Sequence, residues 1–182
     1  MNYAVVSIPV NLVETSAIEE VNELTDLTWP DTKPKEFTKA SRIEDFIKRN
    51  PNKTCHFIYE AESLIGYAES FPREINVDNQ RITIMGLGAV CVHPQRKGQG
   101  LGALLVQAAF KRIDSGEFAV GLFQTGVPGF YEKLNCRTIE NKIINSLSDT
   151  PNANPFWDPY VMIYPRQFIG FQSEIDLLGA GY

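Results

Sequence analysis

The chain has 182 residues, 43% of them hydrophobic and 21% charged, with a formal net charge of −5. That is enough chain for one buried core, in the composition of an ordinary globular protein rather than a disordered one. The acidic balance offers no basic surface for nucleic acid, and no apolar run is long enough to cross a bilayer, so neither is an expected partner.

The opening MNYAVVSIPV lacks the basic region and small-residue cleavage site of a secretory signal, which leads us to expect a cytoplasmic protein. Cys55, Cys91 and Cys136 are far apart and form no CxxC pair. They read as buried thiols, with no zinc site and no disulfide framework expected.

Tyr3 to Val10 is rich in Val and Ile and predicts a strand. Ser16 and Glu19 have the spacing of a capping box, and Ile18, Val21 and Leu24 then repeat at helical spacing to about Leu27. TWPDTKPKEF follows as a loop. Ser41 and Glu44 repeat the capping box before a short helix through Ile43, Phe46 and Ile47, which stops ahead of Asn50-Pro51. CHFIYE and IGYAESF predict two strands, the second disturbed by Pro72 or placed at a sheet edge by it.

VDNQ turns the chain into RITIMGLGAVCV, a central strand buried on both faces, with Gly86 and Gly88 marking a bulge or a close backbone approach. Leu101, Leu104, Leu105, Ala108 and Ala109 form the apolar stripe of a helix that ends near Ser115-Gly116. FAVGLF is a further strand, PGFYEKLN a short helix, and TIENKII and PYVMIYP two more strands, with an apolar tail behind them. The order β-α-α-β-β-β-α-β-α-β-β predicts one α/β domain, residues 1–182, built on a mixed central sheet flanked by helices.

HPQRKGQGLG, at the join between the central strand and the striped helix, carries the strongest chemical signal. A helix N-terminus presents unpaired N–H groups and the positive end of its dipole, and glycines let a ligand approach the backbone. Lys97 to Ala103 therefore reads as a phosphate cradle, with Arg96 and Lys97 as mobile cations beside it. A tight turn with two solvated cations is the plain alternative. A P-loop needs Lys-Ser/Thr after the glycine, and Gln99 stands there. A Rossmann fingerprint needs its first glycine directly after the strand, and His-Pro-Gln-Arg-Lys intervenes.

Gln95-x-x-Gly98-x-Gly100 after VCVHP resembles the acetyl-CoA motif of the GNAT superfamily of N-acetyltransferases. GFYEKLNC, Gly129 to Cys136, resembles that superfamily's second signature. The resemblance runs from the first strand to about Pro165 and implies a GNAT-like, acyl-CoA N-acyltransferase fold. It implies that acetyl-CoA is the co-substrate and that the main chain of Val90, Cys91 and Val92 pairs with the pantetheine arm. It implies that the pyrophosphate rests on Lys97, Gly98, Gln99, Gly100, Leu101, Gly102 and Ala103. Tyr131 then protonates the departing thiolate, a role for which a phenol is a competent donor; the plain reading of Tyr131 is a core aromatic beside Phe130. The main-chain N–H of Val92 or its neighbour would serve the oxyanion. Cys91, on a buried strand with no paired histidine, is not expected to be a nucleophile.

Many GNAT relatives carry a glutamate on the central strand; this chain has none there. Glu69, His56, His93 and the terminal carboxylate of Tyr182 are the candidate bases, unless the acceptor amine needs none. DPYVMIYP and IDLLGAGY resemble the C-terminal region of aminoglycoside 2′-N-acetyltransferases, where a terminal aromatic reaches the substrate; Tyr182 would take that place, while Gly88 stands where that family has an acid. Trp29 and Phe37 are candidates to line the acceptor pocket, with simple loop packing the alternative. The expected function is direct acetyl transfer to a primary amine of a small, cationic acceptor. A peptide or protein N-acetyltransferase and a non-catalytic acyl-CoA-binding module are the competing readings. A homodimer through a sheet edge or the tail is compatible with the sequence.

Overall fold

A computed structural model describes residues 3–30 and 38–182. Among them run β1 (Val6–Pro9), α1 (Thr15–Thr28), α2 (Lys39–Lys48), β2 (Thr54–Glu60), β3 (Ser63–Val77), β4 (Gln80–Val92), α3 (Leu101–Asp114), β5 (Gly121–Thr125), α4 (Pro128–Glu132), β6 (Arg137–Ile139), β7 (Ile143–Ile144), β8 (Tyr160–Tyr164) and β9 (Ile175–Asp176). The strands form a mixed sheet in the order β1-β2-β3-β4-β5-β8-β6, with β9 joining β3 to β7. This is the predicted architecture, with TIENKII split into β6 and β7 and the tail contributing β9.

The chain divides into two compact units, Met1–Phe71 with Gly88–Ala109 and Pro72–Leu87 with Phe110–Tyr182. In the first unit β1, β2 and β3 pair antiparallel. Alternation along each strand sends neighbours to opposite faces. Phe57, Tyr67 and Cys91 therefore pack with Ile18, Val21, Leu24 and Phe46 from the helices. Ile58, Ala68, Val90 and Val92 pack with Leu101 and Leu105 of α3. In the second unit β4 and β5 are parallel, and β5–β8 and β8–β6 antiparallel, around a core that includes Ile84, Leu122, Ile163, Phe156, Phe171, Ile175 and Leu177.

Several local expectations shift. The helix caps lie one turn or less upstream of the predicted sites. α1 starts after Glu14, which puts Ser16 inside the helix, and Glu19 pairs with Lys39 at 2.8 Å. α2 is capped by Thr38, whose Oγ1 accepts from the Ser41 N–H at 3.1 Å while Ser41 Oγ donates back to Thr38 O at 2.9 Å. β3 runs straight through Pro72. Its ladder to β2 ends at Ser70 and its ladder to β9 begins at Asn76, so the missing N–H falls between the two. In β4 the residue after Gly88, Ala89, has φ +50°. β5 begins at Gly121, three residues after the predicted start at Phe118. VDNQ does make the hairpin, with Asp78 and Asn79 both at positive φ, as a two-residue primed turn requires.

Candidate functional site

The join between β4 and α3 is built from local constraints. The His93 N–H donates to Ile65 O at 2.8 Å and holds the strand end on β3. Pro94–Arg96 then forms one 3-10 turn, with His93 Nδ1 accepting from the Gln95 N–H at 3.3 Å. Gly98 and Gly100 both sit at φ +80°, a conformation that side chains with a Cβ seldom take, and a Cβ added to either would meet nothing within 4 Å. The first intrahelical bond of α3 runs from Leu104 N to Gly100 O. The amides of Leu101, Gly102 and Ala103 are thus the orphan donors of the first turn. Leu101 is buried and anchors the helix, whereas Lys97, Gly98, Gln99 and Gly100 are exposed. A bare, open backbone with three free donors fits a pyrophosphate.

Arg96 departs from expectation. It is not a mobile cation. Its Nε donates to Glu60 Oε2 at 3.1 Å, its Nη2 donates to the same oxygen, and the Tyr3 hydroxyl donates to Glu60 Oε1 at 2.7 Å. The Tyr3 hydroxyl and then Arg96 hold the Glu60 carboxyl below its ordinary range. Arg96 therefore ties the turn to the end of β2, and Lys97 is left as the exposed cation.

Upstream, Val90 and Val92 face α3 while Cys91 points into the opposite core, 3% exposed. β4 pairs in parallel with β5 through Met85 and Gly86. The His93 amide, next to Val92, is committed to Ile65 O.

The candidate bases on side chains all have structural partners. Glu69 is buried, with Oε2 2.9 Å from Lys53 Nζ, Oε1 accepting from Asn50 Nδ2 at 2.8 Å, and the Tyr67 hydroxyl donating to Oε2 at 3.3 Å. Lys53, fully buried, also lies 3.7 Å from the centroid of the Phe46 ring. His56 is buried between Ser7 Oγ, 2.8 Å from Nδ1, and Ser70 Oγ, 2.9 Å from Nε2. His93 caps its own turn. Glu69 and Gly88 do come together: a Cβ added at Gly88 would lie 3.5 Å from Glu69 Oε1. Trp29 ends α1 and is 38% exposed. Phe37 lies outside the described residues.

In the second unit Pro128 starts α4, and Tyr131 is 6% exposed. Its ring packs on Phe123 at 4.7 Å and edge-on to Phe130 at 4.8 Å between centroids, so the core-aromatic reading of the ring holds. Its hydroxyl has no hydrogen-bond partner among the described residues. Burial, and then the Cys136 and Asp158 charges, push the phenol well above its usual value, so it stays protonated. Tyr182 stands on its ring edge against Phe156 at 5.3 Å and donates its hydroxyl to Leu122 O at 2.9 Å.

Gln124 was not singled out from the sequence. Its Nε2 donates to Tyr182 O at 2.6 Å, and its Oε1 accepts from the N–H of both Trp157 and Asp158 at 2.8 Å. The available signal was a lone amide at the end of the apolar run FAVGLF.

A model of the acetyltransferase (GNAT) domain matches residues 9–139. The chain belongs to the GNAT acetyltransferase family. Acetyl-CoA is the co-substrate of GNAT acetyltransferases, as a solved neighbour shows: a GNAT family acetyltransferase from Brucella melitensis, in complex with acetyl-CoA, has a TM-score of 0.55 and 14% identity over 75% of this chain and 84% of that one. A GCN5-related N-acetyltransferase from Kribbella flavida has a TM-score of 0.61 and 12% identity over 75% of this chain and 33% of that one, so this chain spans about a third of its length. An acetyltransferase from Trypanosoma brucei has a TM-score of 0.58 and 18% identity over 76% and 96%. Identities this low establish the shared GNAT fold. No curated protein matches the sequence.

Proposed function

We propose that the chain is an acetyl-CoA-dependent N-acetyltransferase acting directly on a primary amine of a small cationic acceptor. The observation that carries this reading is the HPQRKGQGLG turn, with its two left-handed glycines, open faces and orphan amides at Leu101, Gly102 and Ala103. In this reading those amides and Lys97 hold the pyrophosphate, and the main chain of Val90 to Val92 pairs with the pantetheine arm.

The acceptor nitrogen attacks the thioester carbonyl carbon. A C–N bond forms, the C–S bond breaks, and the sulfur leaves with the electron pair. Tyr131 donates its proton to that thiolate and is reprotonated from solvent; the protonated amide nitrogen loses its extra proton to water. Support for Tyr131 comes from its neutral phenol and from a hydroxyl that no described residue engages. Support for water as the proton acceptor comes from the structural partners of Glu69, His56 and His93. An aminoglycoside is one acceptor of the proposed class. The three buried cysteines, none of them in a disulfide, suit a cytoplasmic setting.

The same occupied bases favour one competing reading, an acyl-CoA-binding module without turnover. Calorimetry with acetyl-CoA and thiol release with an amine panel separate the two. Binding with turnover that is lost in Tyr131→Phe supports the transferase. Binding without turnover by any amine supports the module, and no binding removes both.

A further inference from the structure

The exposed indole of Trp157 is not on a loose loop. Asn154 Oδ1 accepts from the Phe156 N–H at 3.0 Å, Gln124 Oε1 accepts from the next two amides, and the Phe156 ring is buried in the core. Three successive N–H groups and one side chain thus fix the backbone, yet Trp157 is 72% exposed. A large apolar ring held out on a hydrogen-bonded backbone invites a ligand, since its exposure costs hydrophobic free energy and a backbone already fixed has less entropy to lose on binding.

Asp158 adjoins it. A Cβ added at Gly126, at the end of β5, would lie 3.8 Å from Asp158 Oδ1, so the carboxylate covers that bare backbone. Val127, 60% exposed, follows and leads into α4, which carries Tyr131. The carboxylate of Asp158 has no ion pair or hydrogen bond among the described residues. Three cations of the same unit are committed elsewhere: Lys142 to Glu174 and Asn152, Arg73 to Leu177 O and Ala180 O, and Arg137 to Arg166 O and Phe168 O. Asp158 is close enough for its charge to act on the Tyr131 phenol.

We propose that Trp157 and Asp158, mounted on Gln124, form the recognition wall for a cationic amine acceptor. The carboxylate pairs with an ammonium group other than the amine that reacts, and the indole face takes the ligand's carbon body or a second ammonium. The acceptor therefore carries at least two amino groups, one anchored and one acetylated. This rests on the acetyltransferase reading and adds the substrate class to it.

The test titrates spermidine and tobramycin into the full chain in the presence of CoA and follows tryptophan emission. The expected result is a saturable change with at least one of them, absent in Trp157→Phe. Asp158→Asn should weaken that binding by about 10- to 100-fold, the range of a charge-assisted contact. It should raise the KM of a turned-over amine by the same factor with kcat within about twofold. Acetyl-CoA binding should not change in either variant. Equal affinity in Asp158→Asn, or no emission change with either amine while acetyl-CoA still binds, overturns the wall. Absence of acetyl-CoA binding by the parent overturns the transferase reading. Amine binding that is sensitive to Asp158 but yields no thiol supports the wall and counts against transfer.

Discussion

Lys53→Met tests how the first unit tolerates a buried charge. Lys53 has no solvent exposure, its ammonium is 2.9 Å from Glu69, and it sits 3.7 Å from the Phe46 ring centroid. Glu69 keeps Asn50 and Tyr67 as donors once the lysine is gone, but its charge is then uncompensated. Removing one partner of a buried pair typically costs about 3 to 5 kcal/mol. For a chain of this size that is a melting temperature lower by about 6 to 20 °C. Glu69→Gln strands the lysine instead. The ring face still stabilises that cation by up to about 2 kcal/mol, so the loss should be smaller, about 1 to 3 kcal/mol. The double variant removes both charges while the amide introduced in place of the Glu69 carboxylate can still accept from Asn50. It should return to within about 2 kcal/mol of the parent.

Urea unfolding of the parent and the three variants measures the cycle. The reasoning requires the order Lys53→Met, then Glu69→Gln, then the double variant, from least to most stable, with a coupling of about 2 kcal/mol or more. Additive losses, or a Lys53→Met variant within about 0.5 kcal/mol of the parent, would refute it, because surface-like pairs behave that way.

Tyr131→Phe should lower kcat by about 100- to 10,000-fold and leave acetyl-CoA affinity and melting temperature nearly unchanged, since the hydroxyl has no described partner; calorimetry and thiol release read both. Gly100→Ala forces a Cβ into φ +80°, a strain of about 1 to 2 kcal/mol, and should weaken acetyl-CoA about tenfold even though the space beside it is open. Unchanged affinity would remove the cradle. Burial pushes the Cys55 thiol up to about 11 and Cys136 up to about 12, and Cys91 is buried, so a thiol reagent at pH 8 should label none of the three until the chain unfolds. The Glu60 carboxyl is held below its usual value, so what it contributes is present above about pH 4.3 and is lost as pH falls through the folded value. An acid titration of melting temperature should therefore be flatter in Glu60→Gln than in the parent.

The parts of the fold that local periodicity controls were legible. HPQRKGQGLG announced its strand-to-helix turn because the glycines, the proline and the apolar stripe are contiguous. The hairpin at Asp78-Asn79 was legible for the same reason. Features decided by distant partners were not. Pro72 reads as a breaker, yet it costs little because the β2 ladder stops before it and the β9 ladder starts after it. Arg96 reads as a solvated cation, yet Glu60 reaches it from the end of β2.

The same distinction governs the search for chemistry. Glu69, His56 and His93 attract attention by residue type, but the fold has committed each to internal bonds. Tyr131 and Asp158 are no more reactive by type, and what sets them apart is that no described residue takes the phenol hydroxyl or the carboxylate. A polar group that folding leaves without a partner is costly when buried and is retained most readily where a ligand supplies the partner. Partners of this kind are tertiary facts. Gln124 was therefore invisible as a single amide in an apolar strand, although two of its three bonds hold Trp157 and Asp158 in place. Gln124→Leu should loosen that mount. It should raise the KM of a cationic amine as Asp158→Asn does, while the acetyl-CoA affinity set by the turn before α3 stays unchanged. An unaltered KM in Gln124→Leu would mean that the wall does not depend on its mount.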